Sequence, residues 1–148
     1  MSESRTIVVG VDGSAQSRAA LRWALQEARP GDRVRAMLVR VRDELLPGTS
    51  YAIQPHGRIP VGEDSAYAGL LHSTVQETRG PGAPEVEEVV LSGDPATELN
   101  KASADADLLV VGSHGARPLT ELLLGSVATQ VVRHAHCPVV VMTAHAAQ

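Results

Sequence analysis

The residues with the densest chemical meaning lie late in the chain, in Val111-Gly112-Ser113-His114-Gly115-Ala116-Arg117, resumed at Leu124-Gly125-Ser126-Val127. Glycines at 112 and 115 let a backbone leave a strand sharply and approach a ligand closely, with N–H groups turned inward as an anion nest. Gly125-Ser126 then opens a stretch of helical spacing. A helix N-terminus offers unpaired N–H donors and the positive end of a dipole, and the Ser126 hydroxyl adds another donor, so a phosphate group suits that point. Taken alone, Gly112-x-x-Gly115 reads equally as a tight strand-to-loop turn, and Ser126 as an ordinary cap. The two glycine clusters together favour a polyphosphate. Arg117 has two readings, a cationic partner for phosphate or a solvated loop residue.

Other chemistries fit less well. There is no Gly-Lys-Ser/Thr step, so a P-loop is absent, and Gly10-x-x-Gly13 does not complete a G-x-G-x-x-G dinucleotide fingerprint. The lone lysine, Lys101, falls on a predicted helix away from the loop. His114, His134 and His136 raise the question of a metal, but an alternating pair at a helix end reads more simply as solvated or dipole-complementing, and no metal site is expected. A single cysteine, Cys137, excludes an internal disulfide and a cysteine-rich metal site, and beside Pro138 it reads as a small packed hydrophobe. The net charge of -4, with no block of Lys and Arg, argues against nucleic-acid and anionic-membrane partners. The opening Met1–Arg5 lacks a cationic region followed by an apolar stretch, and no apolar run reaches membrane-spanning length, so a cytoplasmic location is expected.

The elements that must hold the glycine loop follow from apolar patterning. At 148 residues the chain is expected to form one domain with an aliphatic core, since it contains no Phe, one Trp and two Tyr. Valine-rich runs predict five buried parallel strands over Thr6–Val11, Arg33–Val41, Glu85–Leu91, Asp107–Val111 and Val139–Met142. Helical spacing separates them, giving the alternation of an α/β fold. Ser14 is a predicted cap for a first helix with Ala20, Leu21, Ala24, Leu25 and Ala28 on one face and Trp23 beside it; Pro30-Gly31 stops it. Glu63–Arg79 is a predicted second helix with Ala66, Leu70, Leu71 and Val75 inward. Asp94-Pro95 opens a third, reaching about Ala104. The fourth follows Ser126, with Val127, Ala128, Val131, Val132 and Ala135 inward. Residues 45–62, rich in Pro and Gly, read as an irregular connection, a lid or a disordered stretch, and 144–148 as a tail.

The pattern Gly112-x2-Gly115-x9-Gly125-Ser126 resembles the ATP-binding signature of the universal stress protein family. The likeness extends to Val9-Gly10-Val11-Asp12-Gly13-Ser14, to Val41-Arg42-Asp43 and to His136-Cys137-Pro138-Val139-Val140-Val141. It implies one domain over 1–148, with a five-stranded parallel sheet in the order 3-2-1-4-5 and helices on both faces. The nucleotide would lie across the C-terminal ends of strands one and four, a topological switch point where open α/β sheets form crevices. Position by position, the resemblance implies that Gly10 lines the site, that Asp12 contacts the nucleoside and that Val41 reads adenine through its backbone. It further implies that Val111, Gly112, Ser113, His114, Gly115, Ala116 and Arg117 line ribose and phosphates, and that Gly125, Ser126 and Val127 bind phosphate. ATP with Mg2+ is the implied ligand, AMP or cyclic AMP the alternatives. A homodimer through Val139–Met142 is the implied assembly. Two functions are compatible with this: a nucleotide-binding stress regulator, which the loop favours, and a slow ATPase. For the second, His114 and Glu121 are the loose candidates to activate water.

Overall fold

The computed structural model describes residues 4–41, 60–114 and 124–143. Five strands, β1 Thr6–Gly10, β2 Arg33–Arg40, β3 Val86–Ser92, β4 Leu108–Gly112 and β5 Val139–Met142, form one sheet in the order β3-β2-β1-β4-β5. Every neighbouring pair is parallel, with Gly10 opposite Met37 and Val9 opposite Val110 in register. Among the described residues four helices accompany them: α1 Ala15–Glu27, α2 Pro60–Thr78, α3 Pro95–Ser103 and α4 Ser126–His134. The expected order and class are therefore those observed, β5 has the expected limits, and no strand limit differs by more than one residue.

Strand alternation divides the core into two layers, because successive side chains leave a strand on opposite faces. Ile7, Val9, Val34, Ala36, Leu38 and Val110 point to one face, where they meet Leu21 and Ala24 of α1 and Leu71 and Val75 of α2. Val8, Met37, Leu109 and Val111 point to the other, against Leu99 of α3 and Ala128 and Val131 of α4. Burying each such aliphatic side chain contributes about 1.5–3 kcal/mol over leaving it exposed, and most of them are wholly inaccessible. Trp23, as expected, packs partly buried beside the first layer.

Three expectations need correction. Helix α2 begins at Pro60, so the last residues of the stretch read as irregular are helical; proline's fixed φ suits a first turn. The remainder of that stretch, and the tail at 144–148, lie outside the described residues. Ala66, Leu70 and Val132, placed inward by spacing, are exposed, the last two at 43% and 52%. Leu70 and Val132 each adjoin a residue that takes the buried position, Leu71 and Val131, since one step along a helix turns a side chain by about a quarter of the circle. Finally, Gly125 is the N-cap of α4 and Ser126 its first residue, because Gly125 holds the extended backbone from which the helix departs.

The sheet's N-terminal end is fastened by charged groups. Asp32 accepts from the backbone N–H groups of Arg29 and Arg5 and from the Arg5 guanidinium, at 2.9 to 3.1 Å. Asp107 accepts from the Thr6 N–H at 2.8 Å. The C-terminal end is left to loops and helix starts, and there the cleft opens.

Candidate functional site

A cleft of about 500 Å³ opens over the C-terminal ends of β1, β2 and β4. β1 and β4 are adjacent while their following helices α1 and α4 cover opposite faces, so this is the switch point at which a parallel sheet leaves a crevice. Its walls are of two kinds. Met37, Val39, Leu99 and Val111 make an apolar side, and Gly125, Ser126, Val127 and Ala128 bring the start of α4 to the other.

Asp12 enters the cleft immediately after β1 and is held by its own loop. Its Oδ1 accepts from the Ser14 N–H at 2.9 Å, and its N–H donates to Ser17 Oγ at 3.2 Å. The tight turn needs Gly13 at φ +87°, a conformation other residues rarely adopt. Ser14 closes the N-terminus of α1, its Oγ accepting from the Ser17 N–H at 3.1 Å. The start of α4 is built differently: the cap is Gly125, with no side chain to accept from the first turn. The first backbone bond into that cap comes from Thr129, so the N–H groups of Ser126, Val127 and Ala128 precede the helix's own ladder.

The glycines have separate reasons. Gly10 is on the α3 face, where an added Cβ would come within 3.0 Å of a Leu99 methyl, so its missing side chain keeps the cleft floor open. Gly112 lines the cleft, but its absent Cβ points the other way, where it would sit 2.7 Å from Gln16 Cβ in α1. The absent side chain at Gly112 therefore serves the packing of α1 against β4. At Gly125 a Cβ would meet His114 Cα at 3.0 Å, so Ser113 and His114 sit tightly against the cap.

Of the residues singled out by sequence, Gly10, Asp12, Val111, Gly112, His114, Gly125, Ser126 and Val127 come together on this cleft. Ser113 is buried behind it: its N–H donates to the Met142 carbonyl and its carbonyl accepts from the Gly125 N–H, both at 2.7 Å. The Gly125 N–H is thus already engaged, whereas the N–H groups of Ser126 and Val127 precede the helix's own ladder. Val41 lies one residue past β2, 67% exposed and off the lining, while Met37 and Val39 supply the wall from that strand. Gly115, Ala116, Arg117 and Glu121 lie outside the described residues. Sequence reasoning missed Met37, Val39, Pro95, Leu99 and Ser17. Only strand alternation could have drawn attention to Met37 and Val39, both on the α3 face near the end of β2. Gln16 was also missed; its Nε2 is 3.3 Å from His114 Nε2.

Cys137, at the foot of β5, has its thiol pKa raised by burial and by the nearby Asp107 carboxylate, which favours the protonated form. Among the described residues no cluster of His, Cys, Asp and Glu is placed to hold a metal, and no helix is long and apolar enough to cross a membrane.

A doubly wound parallel sheet with a cleft at its switch point, one apolar wall and one helix start, is the arrangement in which open α/β sheets leave a crevice for ligands. Residues 3–143 match the universal stress protein family, and the chain belongs to that family. A universal stress protein of Mycobacterium tuberculosis is 38% identical over 139 residues, an alignment that takes in 91% of this chain and 44% of the relative. The chain spans about half the length of the first curated relatives it matches. Among solved structures, UspA from Lactobacillus plantarum shares the fold at TM-score 0.75 and 24% identity, over 96% of this chain and 99% of that one. A universal stress protein in complex with cAMP is 26% identical at TM-score 0.65, over 96% and 98% of the two chains. One from Archaeoglobus fulgidus in complex with dAMP is 25% identical at TM-score 0.55, over 97% and 100%.

Proposed function

We propose that the chain binds ATP, carried with Mg2+, in this cleft and acts as a nucleotide-dependent regulator of the stress response, within a single domain that spans 1–148. The observation that carries the reading is the contrast between the two helix starts at the cleft. α1 is closed by the Ser14 hydroxyl, whereas α4 presents a glycine cap and a first turn that all lies on the cleft wall. Orphan N–H groups and a positive dipole end at that spot suit phosphate oxygens. Met37, Val39 and Leu99 would receive the flat base, and Asp12, with one oxygen already fixed by Ser14, would present its carboxylate to ribose hydroxyls. The cleft volume lies within the ordinary range for small-molecule sites. The cAMP and dAMP complexes of family members support an adenine nucleotide. Asp12 is the one carboxylate among the described lining residues, so a magnesium ion would ride chiefly on the nucleotide's own phosphates. Gly115, Ala116 and Arg117 complete the reading as further phosphate neighbours.

Binding is favoured over turnover because the described lining meets the phosphates with backbone N–H groups and the Ser126 hydroxyl, which hold a ground-state triphosphate as well as a transition state. Calorimetric titration with magnesium-ATP and magnesium-GTP tests the proposal. ATP is expected to bind more tightly, and absence of heat with both at millimolar concentration would refute it. Ser126→Ala, which removes one hydrogen bond to charged phosphate, is expected to weaken ATP about ten- to a hundredfold.

A further inference from the structure

A second groove, of about 430 Å³, lies between α3 and α4 and is lined by Asp94, Thr97, Asn100, Gln130 and His134, together with Ser126 and Val127. Those last two residues also line the nucleotide cleft, so the groove and the cleft meet at the first turn of α4. None of the residues noted for the family motif, apart from this shared turn, belongs to the groove.

The chemistry of the lining selects its occupant. It holds two carboxamides, two hydroxyls, an imidazole and a carboxylate, and no Lys or Arg among the described residues. The Asp94 carboxylate caps α3, its Oδ2 accepting from the Thr97 N–H at 3.0 Å and from the Thr97 hydroxyl at 2.8 Å. A fixed anion without a cation disfavours further phosphates. A neutral group dense in donors and acceptors, such as a ribose with its base, matches instead. Asn100 adds an independent indication: its Oδ1 is buried without a hydrogen-bond partner among the described residues. An unsatisfied buried acceptor is costly, and a ligand hydroxyl or N–H that draws the carboxamide toward the groove relieves it.

We infer that the groove is a second nucleoside subsite, and that the cleft and groove together take a dinucleoside polyphosphate, with the phosphate bridge passing over the first turn of α4. The inference rests on the nucleotide reading of the cleft. One nucleoside occupies the apolar wall at Met37 and Leu99, the bridge meets the Ser126 and Val127 N–H groups, and the second nucleoside hydrogen-bonds Asn100 and Gln130.

The test is calorimetry with ATP and with diadenosine tetraphosphate on the wild-type chain and on Gln130→Ala, an exposed position whose truncation leaves the core intact. The dinucleotide is expected to bind at least about tenfold more tightly than ATP. Gln130→Ala is expected to weaken the dinucleotide about three- to tenfold and to leave ATP unchanged, as losing one neutral hydrogen bond would. Equal affinity for the two ligands in the wild type would overturn the second subsite and leave the nucleotide cleft standing. Equal weakening of both ligands by Gln130→Ala would overturn it too, by assigning the groove to the phosphates. Binding of neither ligand would refute the nucleotide cleft itself.

Discussion

Replacing Gly112 by alanine asks whether this glycine serves the ligand or the fold. The added Cβ would lie 2.7 Å from Gln16 Cβ, 3.1 Å from the Gln16 carbonyl carbon and 3.2 Å from the Ser17 nitrogen. Two of these are backbone atoms of α1, so no side chain can rotate away and the helix itself must move off the sheet. Overpacking of this kind costs about 1–3 kcal/mol. For a chain of this length that corresponds to a fall in Tm of roughly 2 to 12 °C. Gly80→Ala is the control. Among the described residues no atom lies within 4 Å of where its Cβ would stand, and its φ is not positive, so the change is expected to be neutral or slightly stabilising. Thermal unfolding followed by circular dichroism compares the two. Displacing α1 also moves Gln16, Ser17 and Ser14, which hold His114 and Asp12, so Gly112→Ala should weaken nucleotide binding through the fold. The reasoning is refuted if Gly112→Ala melts with Gly80→Ala yet no longer binds nucleotide, because the glycine would then serve ligand approach alone.

Three further outcomes are expected. The Asp32 pKa is lowered to about 2, first by the Arg29 backbone N–H, then by the Arg5 backbone N–H and side chain, against the opposing effect of burial. The carboxylate's contribution to stability is therefore present above its ordinary titration range, near pH 4, and lost as pH falls toward 2. Asp32→Asn should melt below wild type at neutral pH, with the gap narrowing over that acid window; a gap independent of pH would contradict it. Phosphate release by the pure protein with magnesium-ATP should stay below about 1 per second, against roughly 10 per second for a typical enzyme, and a faster rate that disappears in Ser126→Ala would make the chain an ATPase. Light scattering at tens of micromolar should give a dimer mass, since β5 is a sheet edge of four half-buried apolar residues, and exposed edges invite pairing; a monomer mass would count against it.

The strands were legible because β-branched runs buried on both faces leave a continuous apolar signature, clearest in Ile7-Val8-Val9 and Leu109-Val110-Val111. Ser14 and Asp94-Pro95 announced their helices because a cap acts through its own side chain and neighbours in sequence. Sheet order came from the family likeness, since no local signal says which strands lie side by side. The polar half of the site was legible through Asp12, Gly125 and Ser126. Its apolar half was not: Met37 and Leu99 look like core residues, and only the three-dimensional gap between them makes them a wall. The true neighbour of Gly112 was also hidden, as Gln16 is 96 positions away and meets it only after α1 folds across β4.

Ser113 ties together, through its backbone, two parts of the molecule that also share a core layer, the cap of α4 and the end of β5. Through its N–H it grips the last residue of β5, and through its carbonyl it grips the helix cap at Gly125, each at 2.7 Å. The residue is buried, so breaking either bond would strand a polar group away from water, at a cost of about 1–3 kcal/mol. The helix cap on the cleft wall and the end of the edge strand are thus tied through one buried residue, so the two margins of the molecule share a single backbone hinge-pin of two short hydrogen bonds.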